Sequence, residues 1–395
     1  MSDRKRIAAI ITEYRVPAHA DVIVGKFIKG FPTDDGLLDP QVEIVSMYLD
    51  QLPPNDIGMA VSEHYGIPVF RSIPSALCLG GDELAVDGVL AIAEHGDYAY
   101  NEKGQNMYPR RYFMEQICGV IASRGRSIPV YSDKHLSYNW QDARWVYERT
   151  RALEVPFMAG SSLPLAWRDP WLEHEIGTPI EEAVVIGPGQ LDSYGFHSLE
   201  ALQCMVERRA GGESGVAAVR YLEGDQIWTA AAAGAWSREL AEAALDRITD
   251  REEGPLDGIC DEAYAILLEY RDGLRAAVLQ LPGAVHEWGY AGRVDGRVES
   301  TDMNTHRSNP HPIFSYLGLN IQEMFMTGAA QYPVERTLLV SGVLEVAVDS
   351  KFQAGARLET PHLDVVYQPS SRQPIRPRGV HPTGASIVPW TDEQI

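Results

Sequence analysis

The chain has 395 residues, 45% of them hydrophobic, which is more than one core usually organises and predicts two domains. Lys and Arg total 34 against 55 Asp and Glu, and a formal charge of -21 without a basic cluster argues against nucleic acid as a partner. Four scattered cysteines form no CxxC pair and no apolar run is long enough for a membrane span, so a soluble cytoplasmic protein with reduced thiols is expected.

In chain order, strand and helix patterns alternate. Residues 7–11 form a short apolar strand, 17–29 a helix, and 42–49 a second strand ending at Asp50. A helix at 55–65, strands at 67–70 and 86–93, a helix at 112–123 and a strand at 127–133 complete a parallel, helix-covered sheet. Helix 140–153 and strands 155–161 and 181–189 lead into a second region. There, helices are predicted at 196–209 and 237–248, with strands at 216–222, 226–231 and 276–281. Helices near 313–327 and 333–351 follow. From residue 368 the chain is proline-rich and aperiodic, which reads as a flexible terminus in preference to an arm clasping a second subunit.

Ligands bind beyond the carboxyl ends of strands in such a sheet. Three polar stretches sit there: ITEYR after the first strand, EHGDY at 94–98, and DKH at 133–135. The first lacks the glycines of a phosphate-binding turn.

The layout resembles the Gfo/Idh/MocA family, the group of glucose-fructose oxidoreductase and inositol dehydrogenase. Two segments carry the likeness. SDKHL (132–136) stands at the family's Glu-Lys-Pro signature, with Lys134 matching, Asp133 shortening the acid and His135 replacing the proline. GQLDSYGFHSLEAL (189–202) is similar to the glycine-rich lead into a helix bearing Asp-x-Gly-x-His; Gly195 and His197 match and Ser193 replaces the aspartate. The resemblance implies an α/β protein with a Rossmann-like parallel sheet over 1–148, an α+β domain with a large open mixed sheet over 149–367, and the tail over 368–395. It also implies association into a homodimer or larger homo-oligomer through the open sheet face, and roles for Lys134 and His197 in proton transfer.

The fingerprint GxGxxG is absent: Ile11, Glu13 and Val16 occupy the glycine positions. Side chains there obstruct a diphosphate, and Glu13 sets a like charge against it unless Arg15 offsets it. Asp50, where an acid commonly holds the adenosine ribose, argues the other way. On this reading NAD(P) is disfavoured, though not excluded.

Glu94, His95 and Asp97 lie within four positions and, with His135, offer oxygen and imidazole ligands suited to a divalent metal. The competing interpretation is a loop whose side chains bond one another. Glu13, Arg15, Tyr98, Tyr108 and Arg110 are candidates for contact with a small polar substrate. His286, Glu287, Trp288, His306 and His311 read as structural. The leading expectation is therefore a metal-assisted lyase or hydrolase acting on a small polyhydroxylated or carbonyl-containing molecule, with Lys134 and His197 as acid-base residues. An NAD(P)-dependent sugar or polyol oxidoreductase is the first alternative, and a non-catalytic binding or assembly subunit the second.

Overall fold

A computed structural model describes residues 4–391. Its first sheet has six parallel strands: β1 (Lys5–Ile11), β4 (Val42–Leu49), β5 (Val69–Phe70), β6 (Gly88–Ile92), β7 (Val130–Asp133) and β8 (Phe157–Gly160). They are ordered β5-β4-β1-β6-β7-β8. A small hairpin, β2 (Phe31–Thr33) with β3 (Gly36–Leu38), stands apart from this sheet. Helices α1 (His19–Lys29), α2 (Gly58–Tyr65), α3 (Ile73–Leu77), α4 (Arg110–Arg124) and α5 (Trp140–Ala152) connect the strands. Ile7–Ile11 and Gly88–Ile92 are wholly buried, as continuous apolar runs are when helices cover both faces of a sheet. Strand order reverses between β1 and β6, which opens a crevice at their carboxyl ends. The sixth strand, β8, lies beyond residue 148 and still pairs with this sheet.

The second sheet has seven mixed strands, β9 (Ile180–Gly187), β10 (Val216–Glu223), β11 (Tyr264–Tyr270), β12 (Arg275–Gln280), β13 (Trp288–Val294), β14 (Arg297–Met303) and β15 (Leu358–Glu359). Their order is β14-β13-β9-β12-β11-β10-β15. The α/β fold class, a Rossmann-like sheet followed by a large mixed sheet, is as the sequence implied. Helix α6 (Leu191–Val206) packs on one face with α10 (Glu335–Phe352), while α9 (Ile313–Thr327) reaches back to α1.

Three details differ from the sequence reading. Residues 226–231, taken as a strand, lie in helix α7 (Asp225–Ala232): alanine is the best helix former, and of this run only Ile227 is buried, so no sheet face claims the segment. The sheet face expected to be open is covered by α8 (Arg238–Leu245), whose Leu240, Ala241 and Ala244 join a core with Val184, Ile186 and Leu279. Gly289 permits this approach, because a Cβ there would meet the Ala244 carbonyl at 2.3 Å.

The tail, finally, packs on its own chain. Ile375 exchanges hydrogen bonds with the Asn320 side chain, Arg376 pairs with Glu173, and the Trp390 backbone bonds Asn309. An extended proline-rich chain has backbone groups free for such side-chain partners.

Gly160 ends β8 at φ +122°, and a Cβ there would lie 2.2 Å from Glu200 Oε1. Its carbonyl accepts from Lys134 N at 3.0 Å and Tyr131 Oη at 2.7 Å. Gly160→Ala is expected to destabilise the protein by about 3 kcal/mol, read as a lowered thermal midpoint.

Candidate active site

The crevice is built where three strands end. Thr12, after β1, donates its amide to Ile92 O at 3.1 Å and its hydroxyl to Glu94 O at 2.8 Å, tying the first turn to the end of β6. Glu94 is buried, and both carboxylate oxygens are engaged by cations: Oε1 accepts from Lys134 Nζ at 2.8 Å, and Oε2 pairs with Arg110. Burial alone would raise this carboxyl group's pKa; the charges of Lys134 and Arg110 instead hold it well below the usual range. Lys134 also donates to Ser193 O at 3.1 Å, which links β7 to α6 of the second sheet.

A cavity of about 400 Å³ opens here, lined by His19, Glu94, Tyr108, Lys134, His197 and Arg307 among others. His197 lies in the second turn of α6, because that helix begins at Leu191, before the expected start at 196. Its imidazole pKa is held well below the ordinary value, by burial first and then by Lys134 and His19. A helix terminus acts mainly within the first turn and so contributes little at His197. His19 Nδ1 is 2.6 Å from Asp133 Oδ2 and its ring stands edge-on to His95, 5.1 Å between centroids. Burial, then His19, lower the His95 pKa to about 3.

Three cavity-lining residues that are not glycine, His95, Lys134 and His311, have φ of 70°, 59° and 53°. Left-handed backbone is costly for such residues and concentrates where function over-determines it.

The structure separates several residues that the sequence grouped. Asp97 is exposed, its backbone N–H and C=O clamped by the Gln51 side chain, and Tyr98 donates to Asp50 Oδ2 at 2.6 Å; neither lines the cavity. His135 is buried behind the site, its Nε2 facing Arg110 Nη1 at 3.4 Å and its ring packed on Phe196. Arg110 is itself 1% exposed and holds Glu94, leaving Tyr108, over whose ring it stacks, as the substrate candidate that reaches the cavity.

Glu13 and Arg15 pair with each other at 2.6 Å and do not line the cavity either. Tyr14 is 1% exposed and packs inward in the core, and Ile11 is fully buried at the end of β1. The turn thus presents no uncompensated carboxylate, and the electrostatic objection to a dinucleotide is answered by Arg15.

Other cavity residues were missed or read as structural. Arg307 stacks over Trp288 and Tyr194, with ring centroids at 5.0 and 5.4 Å, and Trp288, Thr305 and His311 complete that wall. Arg307 lies between the noticed His306 and His311, but sequence gives no sign that the segment following β14 returns to the cleft.

No sequence family matches the chain, and no curated protein sequence does. Solved structures do match its fold. GenD2 from gentamicin A biosynthesis, in complex with NAD, is 13% identical with a TM-score of 0.58, covering 91% of this chain and 97% of its own. Myo-inositol 2-dehydrogenase from Lactobacillus plantarum is 8% identical, TM-score 0.57, covering 90% and 99%. Scyllo-inositol dehydrogenase from Lactobacillus casei, with bound NAD(H) and scyllo-inositol, is 9% identical, TM-score 0.56, also covering 90% and 99%. The Gfo/Idh/MocA likeness carried by the sequence is thereby shown for the fold.

These findings correct the leading expectation. Glu94, His95, Asp97 and His135 do not assemble a metal centre: Glu94 is bound by two cations, Asp97 and His135 lie outside the cavity, and among the described residues no group of three or more His, Cys, Asp or Glu is placed to hold a metal ion. Of these structures two are inositol dehydrogenases, and GenD2 and scyllo-inositol dehydrogenase hold NAD or NAD(H), so the comparison favours the oxidoreductase alternative over a lyase or hydrolase and runs against the expectation that NAD(P) is disfavoured.

His95, His135 and His197 are held neutral, whereas in the unfolded chain each takes up a proton below its ordinary pKa of 6.5. The unfolded state then binds more protons, so these groups contribute stability fully present above that value and lost as pH falls. Unfolding free energy is expected to drop from pH 6.5 towards 4.5, by up to about 1.4 kcal/mol per unit for each histidine. Urea titrations across this range check it, and His135→Gln should flatten the slope by about one such increment.

Proposed function

We propose that the protein is a nicotinamide-dependent oxidoreductase that interconverts an alcohol and a carbonyl group on a small, polyhydroxylated, sugar-like molecule. The carrying observation is Lys134, aimed into the cavity at the strand-order reversal and held there by Glu94 and the Ser193 carbonyl, with the neutral His197 on the same wall. The fold shared with GenD2 and the inositol dehydrogenases supports the same reading.

An ammonium has three N–H donors, and two of those on Lys134 are used by Glu94 and Ser193. The third is available to the substrate oxygen, where it stabilises negative charge that develops as the O–H proton leaves. His197 is neutral because burial and Lys134 disfavour the imidazolium; this makes it a weak base, which takes the proton as Lys134 and the departing hydride acidify the O–H. In the reverse direction it returns the proton to the oxygen. Glu94 acts as a positioning residue, fixing the Lys134 ammonium and keeping its charge in the crevice. Arg307, Thr305 and Tyr108 are placed to bind substrate hydroxyls.

The residues present are compatible with a dinucleotide. Asp50 follows β4, where a ribose acid stands in such folds, although its two oxygens already accept from the hydroxyls of Tyr48 and Tyr98, each at 2.6 Å. Helix α1 opens on the crevice with no cap from Ala18; His95 Nδ1 accepts from the His19 N–H at 3.5 Å, so only the N–H groups that follow are left for an anion. When bound, the nicotinamide supplies the hydride acceptor or donor.

Titration with NADH or NADPH, followed by cofactor fluorescence, is expected to show saturable binding, and a polyol panel should yield turnover. Lys134→Met should lower kcat by about 10²- to 10⁴-fold while changing cofactor affinity only a few-fold. Absence of both binding and turnover in the wild-type protein sinks the proposal.

A further inference from the structure

Towards the carboxyl end of α6, a second cavity of about 30 Å³ has room for about two water-sized groups. Its walls come from the 164–168 segment, the end of α6, the start of α10 and the C-terminal tail. Four arginines that are buried or nearly so meet there: Arg168, Arg208, Arg336 and Arg376. Two carboxylates answer them. Glu173 pairs with Arg208 at 3.3 Å and Arg376 at 2.7 Å, and Glu207 takes a forked pair from Arg336 while also accepting from Tyr367 Oη at 2.8 Å. Glu200, the next acid, is bonded to Ser161 and does not line the cavity.

Among the described residues Arg168 has no carboxylate partner. It is 1% exposed, and its Nη atoms donate to the carbonyls of Leu172 at 2.7 Å and Pro164 at 3.2 Å, with Cys204 Sγ at 3.9 Å. Arg168 Nε, Arg376 Nε and Tyr332 Oη are buried and have no hydrogen-bond partner among the described residues. Buried charge is ordinarily paired, and three unsatisfied donors around one cavity beside surplus positive charge are a costly arrangement if nothing binds there. Burial and the fields of Arg168 and Arg208 accordingly push the Arg376 pKa down to about 10.

We infer that this cavity binds a small inorganic monoanion, a halide or a compact oxyanion such as nitrate, through Arg168, Arg376 and Tyr332. Its size excludes nucleotides and sugar phosphates. Because Arg376 belongs to the tail, Arg168 to the segment after β8 and Tyr332 to the loop before α10, the anion ties the tail to those two segments behind the cleft. This site is separate from the oxidoreductase cavity and does not depend on that reading.

The test is thermal unfolding of the full chain in sodium chloride, bromide or nitrate against sodium gluconate, at equal ionic strength up to about 0.2 M so that general screening cancels. Binding to the folded state alone should raise the midpoint by a few degrees in at least one small anion relative to gluconate. Arg168→Met should abolish that difference. Should this variant fail to fold, Arg376→Gln, altered in the tail, is expected to abolish it instead. Superimposed curves for the wild type in all four salts, as with a cavity holding only water, overturn the inference. So does an anion-specific shift that survives in the folded variant, because the anion then binds elsewhere.

Discussion

The buried carboxylate of Glu94, gripped by Lys134 and Arg110, is the contact on which the cleft depends. It joins the end of β6 to the residue after β7 and to the start of α4, and through Lys134 to the Ser193 carbonyl on α6. An isolated carboxylate so deep would be driven towards the neutral acid. Two cations reverse that tendency and leave the cluster with net positive charge, which suits a site where a substrate oxygen becomes more negative. The same positive charge helps keep the neighbouring imidazoles neutral: His135 feels Arg110, and His197 feels Lys134. One electrostatic arrangement thereby holds the Lys134 side chain in the cleft and disfavours the imidazolium of His197 beside it.

This accounts for the failure of the metal hypothesis in physical terms. Glu94, His95, Asp97 and His135 are suitable ligand types, yet a carboxylate whose oxygens are both held by cations has little left to offer a further cation. The left-handed residue His95 and Gly96, at φ +119°, bend the chain so that Asp97 emerges on the solvent side of Gln51. Proximity in sequence is not convergence. Arg110, grouped by sequence with substrate contacts, is the residue that removes Glu94 from metal chemistry.

Elsewhere the molecule satisfies backbone groups with side-chain amides where regular structure ends. Gln51 holds Asp97, Asn320 holds Ile375 and Asn309 holds Trp390. The tail is ordered in this way, and composition alone does not reveal it, since a proline-rich segment has no periodicity to declare what it lies against. The same limit applies to residues 226–231: an apolar and alanine-rich run fits a strand or a helix until it is known whether a sheet edge is available to it.

What the sequence determined by itself was the α/β class, the alternation that builds the first sheet, and the arrival of polar segments at its carboxyl edge. Apolar runs of strand length and helical periodicity are local properties, and a parallel sheet follows from their order. The Lys134 and His197 motifs were legible because each combines fixed spacing with a place at a strand end or in a helix. Only the tertiary structure decided that Lys134 leans on Glu94, that Arg15 neutralises Glu13, and that Arg307 and Trp288 return from the second sheet to the cleft. Apart from the neighbouring Arg15–Glu13 pair, these depend on which distant groups share a low-dielectric space, and contacts between side chains 16, 40 or more than 100 positions apart leave no trace in local pattern.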